Sequence, residues 1–218
     1  LVASFVPAGA CLLDVGSDHA YLPIALLQEG KIEAAIAGEV VEGPYQSALQ
    51  NVADNGLEDK IEVRLANGLA AFEPTDGISC ITIAGMGGRL IADILAAGLE
   101  KLASVSRLVL QPNNREDELR AWLVDNDFRI VDEAILEENE KFYEILVVEQ
   151  GSQELTAKEL RFGPYLMQEQ APAFVQKWSK EVEKLAFALE QVPVENQSAR
   201  ASLEERIAHI KEVLHVSK

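Results

Sequence analysis

Leu-Leu-Asp-Val-Gly-Ser-Asp-His-Ala-Tyr-Leu-Pro, residues 12–23, decides the architecture. Cys11 to Val15 is a short apolar run carrying one carboxylate and stopped by Gly16, the pattern of a buried strand that ends in a sharp turn. Leu22 to Leu27 suits a helix, and Pro23 is tolerated because it falls in the first turn, where its missing N–H costs no hydrogen bond. A buried strand that turns through glycine into a helix opens a βαβ unit.

The alternation continues outward. Glu33–Glu39, Ile61–Leu65, Ile78–Ala84 and Arg107–Gln111 read as further strands. Pro44–Asn55, Arg89–Gly98 and Glu116–Asn126 read as helices, the first of them ended by Gly56. Phe128–Leu136 and Tyr143–Glu149 fit an antiparallel pair at one edge. The expected fold class is α/β, a Rossmann-like and mostly parallel sheet over residues 1–150 with helices on both faces.

After Gln150 the period changes. Val175, Trp178, Val182, Leu185, Leu189 and Val192 recur at three- and four-residue spacing, as do Leu203, Ile207, Ile210 and Leu214. This is a coiled-coil-like seam on two helices, which the break at Pro193–Ser198 folds back as an antiparallel hairpin. A helix over Ala157–Gln170 leads in. Residues 151–218 therefore form a helical second domain, with Phe174, Trp178 and Phe187 as packing residues.

Composition narrows the function classes. Of 218 residues, 48% are hydrophobic and 25% charged, as in a globular protein. No apolar run approaches the roughly 20 residues of a membrane span, so no membrane partner is expected. Cys11 and Cys80 lie inside apolar runs without metal spacing, and His19, His209 and His215 have no ligand pattern around them. The expectations are no metal, and a reducing cytoplasm. The net charge is −17, and it is unevenly placed: residues 1–150 carry 10 basic and 26 acidic side chains (net −16), residues 151–218 carry 9 and 10 (net −1). Such a body repels polyanions. Any nucleic-acid contact is then confined to local cations, for which Arg89, Arg115, Lys158, Arg161, Lys177, Lys180 and Lys184 are candidates.

Ligands of an open parallel sheet bind outside the carboxyl ends of its strands, and four motifs map there. After Gly16 come Ser17, Asp18 and His19 rather than the GxGxxG of dinucleotide binding. Asp14 and Asp18 repel a pyrophosphate and suit a ligand with positive charge, such as a zwitterion or a sulfonium. The bland alternative is a strand-to-helix turn with Asp18 as the N-cap. Glu39 ends the second strand, where a carboxylate can accept from both ribose hydroxyls. Asn67-Gly68 after the third strand can frame an adenine edge, or be a plain turn. Gly85-Met86-Gly87-Gly88 lets a ligand approach the fourth strand's end. Gln111-Pro112-Asn113-Asn114 closes the fifth strand in a similar place.

In the order LLDVGSDHAYLP, IAGEVVEGP, RLANGLAAF, ITIAGMGGRLI and LVLQPNNREDELRAWL, these segments resemble the bacterial tRNA adenine methyltransferase family TrmK, over nearly the whole chain. The resemblance implies an S-adenosyl-L-methionine-dependent enzyme that methylates the N1 ring nitrogen of adenine at position 22 of tRNA, aided by the helical tail. It implies cofactor contacts from Asp14, Gly16, Ser17 and His19, with Glu39 on the ribose and Asn67 and Gly68 on the adenine. Gly85, Met86 and Gly87 would wall the pocket. Asp18, His19 and Tyr21 would face the incoming base, and Asp18, Tyr21 and Asn113 are the candidate catalytic groups. A monomer is expected. The acidic surface keeps two rivals open: a methyltransferase for a small molecule or protein, and a non-enzymatic nucleotide-binding module with a partner-binding tail.

Overall fold

The computed structural model describes residues 1–215. A short helix α1 (Val2–Phe5) precedes β1 (Ala10–Val15), α2 (Tyr21–Gln28), β2 (Ile32–Glu39), α3 (Glu42–Asp54), β3 (Ile61–Leu65), β4 (Cys80–Met86), α4 (Gly88–Ala97), β5 (Arg107–Pro112), α5 (Glu116–Asp125), β6 (Phe128–Glu138) and β7 (Lys141–Gln150). The strands form one seven-stranded sheet in the order β3-β2-β1-β4-β5-β7-β6. β7 runs antiparallel to both of its neighbours, while the pairs from β3 to β5 are parallel. The chain leaves β1 towards β2 on one side and returns to β4 on the other, so the topological switch point lies between β1 and β4.

Both sheet faces are covered, which is why the strands read as apolar runs rather than alternating ones. On one face Leu13, Val15, Ile81, Ile83, Leu108 and Leu110 pack against Ile91 and Leu95 of α4 and Leu119 and Leu123 of α5. On the other, Leu12, Ala35, Ala37 and Val109 meet Ile24 and Leu26 of α2 and Ala48 and Val52 of α3. Each fully buried Leu or Ile contributes about 1.5–3 kcal/mol, and this fixes the strand ends on which the site is built.

The tail differs from its expected form. The helix expected over Ala157–Gln170 is two short ones, α6 (Ala157–Phe162) and α7 (Pro164–Glu169). Thr156 caps α6 in a reciprocal box with Glu159, and Gly163 at φ +84 with Pro164 breaks the run. The break lets the N–H groups of Tyr165 and Leu166 reach Glu133 Oε2 (3.0 and 3.5 Å). Next come α8 (Pro172–Gln191) and α9 (Gln197–His215). Gln170 bonds Val213 O, Glu181 faces Arg206 and Leu189 O accepts from Arg200, so the two helices are antiparallel, as the seam predicts. Phe174 and Trp178 are buried, but Phe187 is 65% exposed; it lies on the outer face of α8 and is not a packing residue.

The tail core, Phe162, Leu166, Trp178, Leu185 and Ile210, also takes in Ile135 of β6 and packs Phe142 of β7. Beneath it lies a buried ion network. Arg120 of α5, 0% exposed, donates to Glu133 Oε1 (2.8 Å), Glu144 Oε2 (2.5 Å) and Leu160 O (3.1 Å). Lys177 of α8 donates to Glu144 Oε1 (2.7 Å) and Glu116 Oε1 (3.0 Å). Burial pushes Glu144 up, but Arg120 and Lys177 outweigh it and hold its carboxyl below the usual range.

Candidate active site

The carboxyl ends of β1, β2, β4 and β5 converge on one crevice. The loop after β1 is wound tightly: Gly16, Asp18, His19 and Ala20 all have positive φ (+67, +43, +69 and +60). For the three non-glycine residues this costs roughly 1–2 kcal/mol each, so the surroundings must hold the loop. Gly38 O accepts the N–H groups of Gly16 and Ser17 (2.9 and 3.2 Å). Glu39 Oε1 accepts the Asp18 N–H (2.5 Å), and Asn51 Nδ2 donates to His19 O (3.0 Å).

Asp14 does not share the mouth with Asp18, as the pairing of these two acids in the sequence suggests. It is buried, its Oδ2 accepting from Ser17 Oγ (2.6 Å) and its Oδ1 from Thr82 Oγ1 (2.5 Å). Burial raises its pKa against the pull of both hydroxyls. The acid that faces the loop with Asp18 is Glu39, buried and likewise raised by desolvation. Among the described residues Glu39 Oε2 has no hydrogen-bond partner. Asp18 is no N-cap: α2 is entered through Ala20 without a side-chain cap, and the Asp18 side chain is 83% exposed, 3.4 Å from His19 Nε2. His19 stacks on Tyr21 (centroids 5.3 Å apart, planes at 28°). Tyr21 is 64% exposed, so the pair forms an aromatic ledge at the mouth.

The glycines after Ile83 do not make a loop. β4 continues through Met86 and α4 begins at Gly88, leaving one residue between them. The register with β5 slips between Ala84 and Met86, a bulge at Gly85 (φ +76). Side chains replace its ladder partners: Gln111 Oε1 accepts the Gly85 N–H (2.9 Å) and Asn113 Nδ2 donates to Gly85 O (2.7 Å). Gln111 Nε2 in turn donates to Asn113 Oδ1 (3.0 Å). Asn113 is therefore committed to holding the wall. Gly16 and Met86 meet across the crevice, since a Cβ on Gly16 would lie 2.5 Å from Met86 Cε. Asn67 and Gly68 lie beside the Glu39 end of these groups, in a pocket of ≈ 350 Å³ with Leu69, Leu90, Asp93 and Ile94. The Asn67 amide makes no bond to the described residues, and Ala66 N–H ties the segment to Glu39 O (2.7 Å).

The arrangement fits a nucleoside bearing a positively charged group. It has a buried carboxylate with one open oxygen, an adjoining pocket with an unused amide, and backbone exposed at Gly16 and Gly85. The family model for tRNA (adenine(22)-N(1))-methyltransferase, TrmK, matches residues 12–212. The chain belongs to this family. It is 39% identical to the tRNA (adenine(22)-N(1))-methyltransferase of Bacillus subtilis (strain 168), over 98% of this chain and 94% of that protein. The structure of Streptococcus pneumoniae Sp1610 in complex with S-adenosyl-L-methionine has a TM-score of 0.91 at 66% identity, covering 98% of this chain and 96% of that one. M. capricolum TrmK in complex with S-adenosyl-homocysteine has a TM-score of 0.86 at 27% identity, covering 100% and 96%.

Sequence reasoning missed two residues that hold the crevice of this TrmK-family chain. Thr82 left a signal, a hydroxyl between two buried isoleucines. Asn51, a half-buried polar residue on α3, left none. Gly88, read from the sequence as part of the ligand-side glycine motif, has a packing cause instead: a Cβ there would lie 2.5 Å from Arg115 O, which forces glycine where α4 and α5 begin side by side. Most of the candidate cations are neutralised: Arg115 by Glu118, Lys158 by Glu212, Lys177 by Glu116 and Glu144, Lys180 by Glu137, and Lys184 more loosely by Glu181. Arg89 and Arg161 have no carboxylate partner among the described residues.

Proposed function

We propose that the crevice at the β1–β4 switch point is where this chain, an S-adenosyl-L-methionine-dependent tRNA (adenine(22)-N(1))-methyltransferase, moves the methyl group to N1 of the adenine. The single observation that carries this assignment is Glu39: a buried carboxylate at the end of β2 that holds the loop with one oxygen and offers the other. That open oxygen accepts from the ribose hydroxyls, while Asn67 and Gly68 frame the adenine of the cofactor. Gly16, Ser17, Gly85, Met86 and Gly87 wall the rest, and His19 closes the side towards the mouth. Asp14 acts through Ser17 and Thr82, which it fastens. S-adenosyl-L-methionine supplies an electrophilic methyl group on a sulfonium centre.

The target nitrogen already has a lone pair, so no base is needed to create the nucleophile and positioning supplies most of the catalysis. The methylated ring becomes cationic. Asp18, exposed at the mouth, accepts from the exocyclic amine, which enriches N1 and offsets the developing charge. A base inside tRNA must leave its stack to reach the crevice, and the Tyr21–His19 ledge gives it a surface to lie on. Asn113 keeps Gly85 and Met86 in place. Residues 1–150 carry the chemistry and 151–218 assist the tRNA. The protein acts as a monomer in the cytoplasm, where tRNA is modified.

The test is mass spectrometry of nucleosides from tRNA transcripts incubated with the protein and the methyl donor. The expected product is 1-methyladenosine, lost when guanine replaces the adenine at position 22. A methylated metabolite or protein with unmodified tRNA would refute the reading.

A further inference from the structure

A second recess opens on the same side of the molecule as the crevice. Its volume is ≈ 450 Å³, and its walls include Glu116 and Asp117 from the first turn of α5, Phe142 from the start of β7, and Arg161, Trp178 and Lys184 from the tail. Three residues separate the end of β5 from the start of α5, and Phe142 pairs with Glu137 near the end of β6, so the recess lies at the carboxyl edge of the sheet, as the crevice does.

Arg161 is its unusual member. The other arginines of the described residues have a carboxylate within 4.0 Å, apart from Arg89. Arg161 makes neither an ion pair nor a hydrogen bond to them, although the chain is acidic. Its guanidinium lies against two rings, 5.0 Å from the Phe162 centroid and 5.6 Å from that of Trp178. A guanidinium shelved on aromatic faces keeps its N–H fork at the edge, preorganised for two oxygens of one tetrahedral anion. Trp178 adds a buried Nε1 with no hydrogen-bond partner among the described residues. Burial and the nearby Arg206 weigh against the Arg161 charge more than Glu181 and Asp117 support it, and a bound anion would offset the difference. The remaining cations of the recess are compensated, so Arg161 supplies its net attraction and Asp117, unpaired at the rim, its repulsion.

We propose that Arg161, on its Phe162–Trp178 shelf, is a subsite for one phosphodiester of the tRNA whose adenine occupies the crevice, with Lys184 at the rim. The proposal rests on the tRNA reading above. None of the residues lining the recess lines the crevice, so a contact there sets where the tRNA lies and leaves methyl transfer itself untouched.

The test uses the full chain and fluorescence anisotropy of a labelled, unmodified tRNA transcript at several salt concentrations, with calorimetry of S-adenosyl-L-methionine alongside. Arg161→Ala should weaken tRNA binding about tenfold for any transcript and lower the slope of log affinity against log salt by about one. Arg161→Lys keeps the stem on Trp178 and the charge but loses the fork, so it should weaken binding with the slope unchanged. Asp117→Asn should tighten binding a few-fold. Cofactor affinity, and turnover at saturating tRNA, should not move. Wild-type affinity in both Arg161 variants overturns the subsite. So does weaker binding by Asp117→Asn, which would make the pair a structural contact. A protein that binds tRNA through Arg161 yet forms no methyladenosine would sink the proposed activity and leave the subsite standing.

Discussion

Replacing Glu39 tests the assignment on which the others depend. The structure separates its two oxygens: Oε1 holds the Asp18 N–H, and Oε2 is open. A hydrogen bond to a charged group contributes about 1.5–3 kcal/mol, so loss of the ribose contact should weaken S-adenosyl-L-methionine about 10- to 150-fold. Glu39→Ala also releases the Asp18 N–H and the left-handed run it restrains, so weakened binding alone does not prove a ribose contact. Comparing ligands does. S-adenosyl-homocysteine and its 2′-deoxy and 3′-deoxy analogues are titrated calorimetrically into wild type, Glu39→Gln and Glu39→Ala. In the wild type, loss of a contacted hydroxyl should cost tenfold or more. In Glu39→Gln the penalty should shrink, because the single amide oxygen is taken by the Asp18 N–H and the Nε2 that then faces the ribose can only donate a neutral hydrogen bond to a hydroxyl oxygen, and in Glu39→Ala it should nearly vanish. Equal penalties in all three proteins would mean that the energies add, that Glu39 and the ribose do not touch, and that the site is misread.

Three further outcomes follow from the same geometry. Asp18→Ala should abolish methyl transfer while leaving cofactor affinity within a few-fold, because the side chain points outward; near-normal single-turnover rates would remove Asp18 from the reaction. Arg120→Met takes the guanidinium from two buried carboxylates, leaving Glu144 with Lys177 and Glu133 with backbone N–H groups alone, and should cost about 3–5 kcal/mol in urea unfolding; a loss below about 1 kcal/mol would show that the network relaxes freely. Asp14, whose burial raises its pKa, contributes stability that is fully present below its ordinary pKa and is lost as pH rises through the raised value. Asp14→Asn should therefore flatten the fall in melting temperature of the ligand-free protein as pH rises above the ordinary carboxylate range, and parallel curves for the two proteins would refute the sign.

Elements whose cause is local were legible in the chain. The strand ends at Val15, Glu39 and Leu65 follow from apolar runs stopped by polar or glycine residues, and the β6–β7 pair from two alternating runs. The tail seam follows from its spacing. What escaped depends on partners distant in sequence. Nothing near Gly85 announces a bulge, because the groups that replace its ladder bonds sit on β5, at Gln111 and Asn113. Nothing near Asp14 shows that Thr82, 68 residues on, takes one of its oxygens. The tail helix breaks at Gly163 because α7 aims its first N–H groups at Glu133 on β6; a Cβ there would lie 2.7 Å from Glu133 Oε2. The cations misled for a related reason: a lysine that looks free in sequence is neutral in effect once folding brings a glutamate to it.

That network also bears on how the tail's role can be examined. By sequence the chain divides at Gln150, and cutting there looks like a clean way to remove tRNA binding. By contact it is not. Without residues 151–218, Glu144 loses Lys177, Glu133 loses the Tyr165 and Leu166 N–H groups, and Arg120 loses Leu160 O. Ile135 and Phe142 lose the core that covers them. Arg120, Glu133 and Glu144 keep one another, but each loses a partner, and the apolar surface bared on β6 and β7 loses about 25 cal/mol per Å² of burial. The truncated protein would be weakened at α5 and β6, and α5 begins just after the Asn113 that fastens the crevice wall. A loss of cofactor binding on truncation would then reflect the joint rather than the tail's contact with tRNA. Only substitutions at the tail's surface, which leave Arg120 and its partners in place, separate holding the substrate from holding the fold.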